Sequence, residues 1–350
     1  MMEAHWRVDG HTVPNTAVYP WQWLWDSCFH SLIWAELGRD DRAITELASA
    51  LSDQAADGFV PHVRYVGRPG FLEDFWGRPG TSSITQPPMF GHAIAELGRR
   101  GTAVPEELVD RAHRGLDFLL HDRARTDDGL VTVVHPWETG CDDSPRWDDW
   151  CGPTGWSAER WRAVKGELLT TVVRSTHGSP LANPAFAVAP AGFNALVAFN
   201  AAELGRAADA AELARALATR WDGERRTWTD GAHPSGRVRT VDALLPVLVC
   251  PDGRPAALAD IGDDRAFGGR CGPPAVHRAE PGFDPTRYWR GPAWPQLTYL
   301  LRKAGAPVGD RLVAGAQASG LAEYWHPDTG EGYGAIPQSW AGLALLVTAR

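Results

Sequence analysis

One short string recurs in this chain: AELGR, at Ala35–Arg39, Ala95–Arg99 and Ala202–Arg206. Each copy closes a run (CFHSLIWAELG, MFGHAIAELG, FNALVAFNAAELG) whose apolar residues fall at three- and four-residue spacing. That is the period of a helix with one face in a core. Gly38, Gly98 and Gly205 stand where a helix C-terminal glycine belongs, and LTYLLRKAG, ending at Gly305, is a fourth case. A short polar break follows each glycine, and then a second amphipathic run: DRAITELASAL, PEELVDRAHRGLDFLL, AADAAELARALATRW or GDRLVAGAQASGL. Helix, glycine stop and second helix make an αα-hairpin, here repeated.

The four glycines lie 60, 107 and 100 residues apart, which fits one, two and two hairpins of about 50–60 residues each. A chain of 350 residues then holds about six such hairpins. The expected architecture is all-α: an (α/α)6 toroid occupying residues 1–350 as a single domain, with inner helices aiming one end at a central pocket. Strand patterns are sparse, GFVPHVRYV near 58–66 and LVTVVHP near 130–136, which disfavours a Rossmann or TIM fold. The Pro/Gly-rich stretch from Gly262 to Pro285 reads as a long loop within the domain. The distinctive clusters WQWLWDS, SSITQPP, TRYWRGPAW and AIPQSW each precede or open the first helix of a hairpin. Alternation of inner and outer helices brings them to one rim.

Composition removes whole classes of partner. A net charge of −9 without any basic stripe argues against nucleic acid. No apolar run approaches the roughly 20 residues of a membrane span, and MMEAHWRVDGH lacks a signal-peptide core. The five cysteines, Cys28, Cys141, Cys151, Cys250 and Cys271, include no CxxC pair. They suggest reduced thiols and a cytoplasmic setting rather than a disulfide framework or a zinc site. The 12 histidines show no ligand spacing, so neither metal nor cofactor is expected. Seventeen tryptophans are the outlier. They serve either large helical cores or stacking platforms for sugar rings.

The segment HPWETGCDDSPRWD, His135–Asp148, is poor core material, with four acids among tryptophans and turns at Gly140 and Pro145. It reads as the wall of a wet pocket. Asp143 or Ser144 is placed to cap a short helix beginning at Pro145, leaving Asp142 to face the pocket. Desolvation beside Trp137 and Trp147 favours its protonated form, as a general acid requires. Glu323 and Glu331 flank EYWHPDTGE. Glu323, expected at a helix end beside Tyr324 and Trp325, has the more enclosed setting, and Glu331 reads as the rim of a turn. Asp26 is either an N-cap, a role Ser27 contests, or an acceptor for sugar hydroxyls with Trp21, Trp23 and Trp25 alongside. Gln86 and Gln338 stand at matching helix starts, fit to read hydroxyls as donor and acceptor. Arg174 and Arg290 are candidates for a substrate carboxylate or plain surface residues.

WLWDSCFH, QPPMFGHAI, HPWETGCDDSPRW, RYWRGPAW, and EYWHPDTGEG followed by PQSW resemble, in order, the signatures of glycoside hydrolase family 63. The likeness is greatest to its small bacterial branch of mannosylglycerate and glucosylglycerate hydrolases and runs from about Trp21 to the C-terminus. It implies an (α/α)6 barrel and an inverting mechanism on an α-linked glycoside. By the same likeness Asp142 is the general acid and Glu323 the general base. Trp25, Asp26, Gln86, Trp137, Gly140, Trp289, Trp294 and Gln338 form the sugar subsite with Tyr288 adjacent, and Arg174 is a weaker match to a glycerate contact. Two departures stand out. Cys141 and Asp143 replace the usual methionine and asparagine around the acid, and the added charge is expected to raise the pKa of Asp142. The chain is also shorter than the glycerate-releasing enzymes.

The expected activity is therefore exo-acting, inverting hydrolysis of an α-linked glucoside or mannoside whose aglycone is small, glycerate-like or oligosaccharide. The two carboxyls should stand roughly 6.5–9.5 Å apart, against about 5 Å in a retaining enzyme. Two alternatives stay open. A sugar isomerase or epimerase on the same toroid would draw on His62, His92 and His135. A catalytically silent sugar-binding protein would bind without turnover. The expected partner is a small carbohydrate, with no nucleic acid and no membrane.

Overall fold

The glycine stops become hairpin turns. In the computed structural model, which describes residues 1–153, 155–231 and 234–348, Gly38, Gly205 and Gly305 adopt φ of 72°, 77° and 89°. Each closes its helix with the same pair of bonds. Gly38 N–H donates to Ala35 O (3.0 Å) and Arg39 N–H reaches back to Trp34 O (2.9 Å), and Gly205–Arg206 and Gly305–Ala306 repeat the pattern. This is the Schellman arrangement, and a Cβ would strain it. Gly98 departs from expectation. It lies inside its helix, and Gly101 (φ 84°) makes the turn, with Thr102 N–H bonded to Leu97 O at 3.0 Å. The helix simply runs one turn further than the repeated string suggests.

In chain order the α-helices are α1 (Met2–His5), α2 (Leu24–Glu36), α3 (Asp40–Ala50), α4 (Glu73–Trp76), α5 (Phe90–Arg99), α6 (Glu106–Asp117), α7 (Ala158–Thr170), α8 (Ala191–Glu203), α9 (Ala207–Ala218), α10 (Arg254–Gly262), α11 (Pro295–Lys303), α12 (Gly309–Ala318) and α13 (Leu345–Thr348). Their packing runs in a closed circuit. α2 packs on α5, α5 on α8, α8 on the 3-10 turn Asp242–Leu248, that turn on α11, α11 on the 3-10 turn Ser339–Ala344, and this last back on α2. Outside the circuit α3, α6, α9, α10 and α12 cover their inner neighbours. α2 is buried along nearly its whole length, as is most of α8, the composition of a helix enclosed on all sides.

Two inner positions are 3-10 helices rather than α-helices. Pro246 interrupts the first, removing a backbone donor the α-helical ladder would need. The strand content is five two-stranded antiparallel ribbons among the described residues. One joins Gln22–Trp23 to Val63–Arg64, inside the 58–66 pattern; the 130–136 pattern makes only isolated bridges, Val131 to Arg125 and Val133 to Val188. Beyond α10 no helix or strand forms until α11, so the expected loop is present from 263 to 285, with Gly262 itself ending α10. Among the described residues, no helix is long and apolar enough to cross a membrane. Asp26 lies in the first turn of α2, Gln86 and Trp289 lie in the segments leading into α5 and α11, and Gln338 directly precedes the 339–344 turn. These chain ends meet around one pocket.

Candidate active site

The pocket encloses about 420 Å³ of empty space, its open mouth included. Asp142 and Glu323, about 180 residues apart in sequence, both line it, as do Trp25, Asp26, Gln86, Gly140, Tyr288, Trp289 and Gln338. Three expected subsite residues do not. Trp294 lies behind Trp289, stacked on it at 3.6 Å between ring centroids and 4° between planes. Trp137 packs against His135 and Trp76. Arg174 is half-buried and donates to Ser83 O at 2.7 Å. Arg290 also lies off the pocket, paired with Asp148. Pro14, Tyr19, Trp23 and Trp340 complete the lining. Tyr19 was missed because a lone tyrosine before PWQW carries no spacing signal, whereas Trp340 lay within the quoted PQSW motif.

The loop bearing Asp142 is fixed from several sides. Gly140 has φ 72°, and a Cβ there would fall 2.5 Å from Trp25 Cη2. Both the backbone and the approach of the tryptophan require glycine. Trp147 Nε1 donates to Cys141 O and Trp161 Nε1 to Asp142 O, each at 2.9 Å. Glu138 is fully buried. It accepts two bonds from Arg123 (2.6 and 2.9 Å), one from Thr85 N–H (3.0 Å) and one from Val134 N–H (2.8 Å). It thereby ties the loop to the segment carrying Gln86. The Arg146 guanidinium sits 4.4 Å over Trp147 and pairs with Asp230 (3.1 Å) and Asp242 (2.6 Å).

The expected cap takes another form. Ser144 occupies the N-cap position of the 3-10 helix Pro145–Cys151 but makes no capping bond, and Asp143 turns instead to Lys165 Nζ at 2.7 Å. Asp26 is likewise not an N-cap; it lies within α2, where Trp23 holds the cap position. Glu323 follows α12 by several residues rather than ending it, and directly precedes the ribbon strand Tyr324–Trp325. Glu331 is exposed, at the rim of its turn.

The electrostatics separate the carboxyls. Asp142 keeps partial access to the pocket, yet the surrounding protein desolvates it and pushes its pKa up to about 8. Lys165 opposes the shift, while Asp143 and Glu323 add to it. The expected effect of Asp143 is thus present but outweighed by Lys165, because Asp143 carries its own counter-ion. Asp26 rises to about 7, chiefly by burial and further by Glu323 and Glu46, against the pull of His30. Burial also raises Glu323, but the Ala335 N–H and the Tyr19 hydroxyl, each 3.0 Å from its oxygens, favour its ionised form.

The polar atoms of the residues lining the pocket are only partly satisfied within the protein. Gln86 Oε1 accepts from Trp25 N–H at 3.3 Å, whereas Gln338 Oε1 and Trp23 Nε1 have no partner. Unpaired buried donors and acceptors beside stacked indoles suit a polyhydroxylated ring. His62, His92 and His135 all lie outside the pocket lining. Burial pulls His62 and His135 down to about 3, and His92 bonds Tyr299 at 2.9 Å. Among the described residues no group of three or more His, Cys, Asp or Glu side chains is arranged to hold a metal. All five cysteines are free and buried.

Residues 19–341 match the mannosylglycerate hydrolase MGH1-like glycoside hydrolase domain. The chain is 30% identical to a mannosylglycerate hydrolase of Thermus thermophilus, with 96% of each covered. It is 28% identical to a glucosylglycerate hydrolase of Mycolicibacterium hassiacum over 96% of this chain and 93% of that one. The crystal structure of a family 63 mannosylglycerate hydrolase of Thermus thermophilus, in complex with Tris and D-glycerate, superposes with a TM-score of 0.84 at 26% identity. It covers 100% of this chain and 98% of that one.

Proposed function

The chain belongs to the mannosylglycerate hydrolase MGH1-like glycoside hydrolases of family 63, and on that premise we propose that it is an inverting, exo-acting α-glycosidase. A single (α/α)6 toroid spanning residues 1–350 carries the site. The glycone is an α-linked glucose or mannose held against Trp25, Trp289 and Trp340, its hydroxyls bonded to Asp26, Gln86 and Gln338. The aglycone is small and leaves through the mouth of the pocket.

Asp142, protonated at neutral pH, gives its proton to the glycosidic oxygen as the C–O bond breaks. Glu323, ionised, takes a proton from a water that attacks the anomeric carbon from the opposite face. The products are the free sugar, inverted at that carbon, and the aglycone with its hydroxyl restored. The observation carrying this reading is the convergence on one pocket of two carboxyls in unlike settings, Asp142 desolvated and Glu323 accepting two hydrogen bonds that favour its ionised form against the pull of burial. The absence of His62, His92 and His135 from the pocket lining weighs against a histidine-based isomerase.

Asp142→Asn and Glu323→Gln are each expected to lower kcat by about 10²–10⁴-fold while leaving the circular dichroism spectrum and sugar binding intact. Near-normal turnover in either variant contradicts the assignment. A panel of α-glucosides, α-mannosides and glycosylglycerates identifies the glycone and the leaving group.

A further inference from the structure

Helix α7 meets the acid loop with one face. Trp161 and Lys165 stand one turn apart on it, so they point the same way. Trp161 Nε1 bonds the backbone oxygen of Asp142 at 2.9 Å, and Lys165 Nζ bonds Asp143 Oδ1 at 2.7 Å. The backbone oxygen of Lys165 also lies 2.9 Å from His135 Nε2 at the other end of the loop. The ammonium sits 5.6 Å from the Trp137 ring and 5.7 Å from that of Trp161, a setting that favours a cation. The pair is largely enclosed, with 13% of the Lys165 side chain and 23% of that of Asp143 exposed. A pair so enclosed is screened less by salt than a pair at the surface.

From this geometry we infer that Lys165 is a positioning residue for the proposed hydrolysis: its ammonium anchors Asp143 and supplies the counter-charge beside Asp142. The inference rests on the assignment of Asp142 as the acid. The charged and titratable groups that act on or feel Asp142 are Lys165 from α7, Asp143 and Cys141 in its own loop, Glu323 from the opposite wall, and the Tyr19 and Tyr288 hydroxyls. Lys165 favours the ionised acid, while Asp143 and Glu323 favour the protonated one. The two members of the pair therefore pull in opposite directions, and removing either one frees the other to act alone.

The test uses the full chain as Lys165→Met, Asp143→Asn and the double variant. Two readouts are taken: the alkaline limb of the kcat/KM profile, and the carboxyl ¹³C titration of Asp142 without substrate, assigned by difference from Asp142→Asn. Lys165→Met is expected to move both midpoints up and Asp143→Asn down, each on the order of one pH unit, with the double variant returning close to the parent. Unmoved midpoints, or shifts in the same direction for both single variants, overturn the inference. If Lys165→Met does not fold, Lys165→Gln takes its place in both readouts: an upward shift supports the inference and no shift overturns it. Should Asp142→Asn retain turnover, the acid assignment fails, and the ¹³C titration still reports on the pair by itself.

Discussion

Asp142 owes its proton to its surroundings. With a folded pKa of about 8 against about 3.9 in an unfolded chain, the folded protein holds a proton that the unfolded chain releases between those values. Its contribution to stability is therefore greatest below pH ~4 and is lost as the pH rises toward 8. Asparagine carries no such penalty. Asp142→Asn should raise Tm at pH 8 and above, with a gain that shrinks toward pH 4, and thermal melts across that range check it. A Tm difference independent of pH contradicts the shift. The sequence allowed Asp142 to be singled out because the motif around it is dense and ordered. Lys165 escaped notice because it stands 23 residues beyond Asp142, in a helix with no marked pattern, and only the fold reveals that it faces the loop. Arg174 shows the converse: a lone arginine in sequence, it is committed to Ser83 O outside the pocket.

Hairpins were legible because a glycine stop after a periodic apolar run has one economical structure. The limit of that legibility is visible at Gly98, where an identical string continues as helix and Gly101 turns instead. The inner elements at Asp242–Leu248 and Ser339–Ala344 were not foreseen as 3-10 turns, since six or seven residues are too few to show a period. The loop from His135 to Asp148 depends on contacts with no sequence signature, above all the fully buried Glu138–Arg123 pair. Glu138→Gln leaves the guanidinium without its counter-charge and is expected to cost about 3–5 kcal/mol, read as a lower denaturant midpoint at unchanged slope. Gly140→Ala should cost about 1–3 kcal/mol and also lower kcat, because Trp25 must move to admit the methyl group. Wild-type stability and kcat in Gly140→Ala would show that the close approach to Trp25 does not matter.

At the scale of the whole molecule, a closed circuit of inner elements gathers Asp26, Gln86, Asp142, Trp289, Glu323 and Gln338 from the length of the chain to one pocket. The placement of motif clusters before first helices made that convergence foreseeable, and the repeat made the circuit foreseeable. The identity of the aglycone was not legible: the one residue matched to a glycerate contact, Arg174, is absent from the pocket lining. The alignment to the Thermus thermophilus mannosylglycerate hydrolase runs over 404 residues, more than this chain contains, so the relative carries insertions that this protein lacks. The central proposal is that Asp142 and Glu323 act as a separated acid and base, and it has one direct measurement. Proton NMR of the first sugar released from an α-glycoside substrate, before mutarotation, should show the β-anomer. Initial release of the α-anomer would mean retention of configuration and would contradict the proposed roles of both residues.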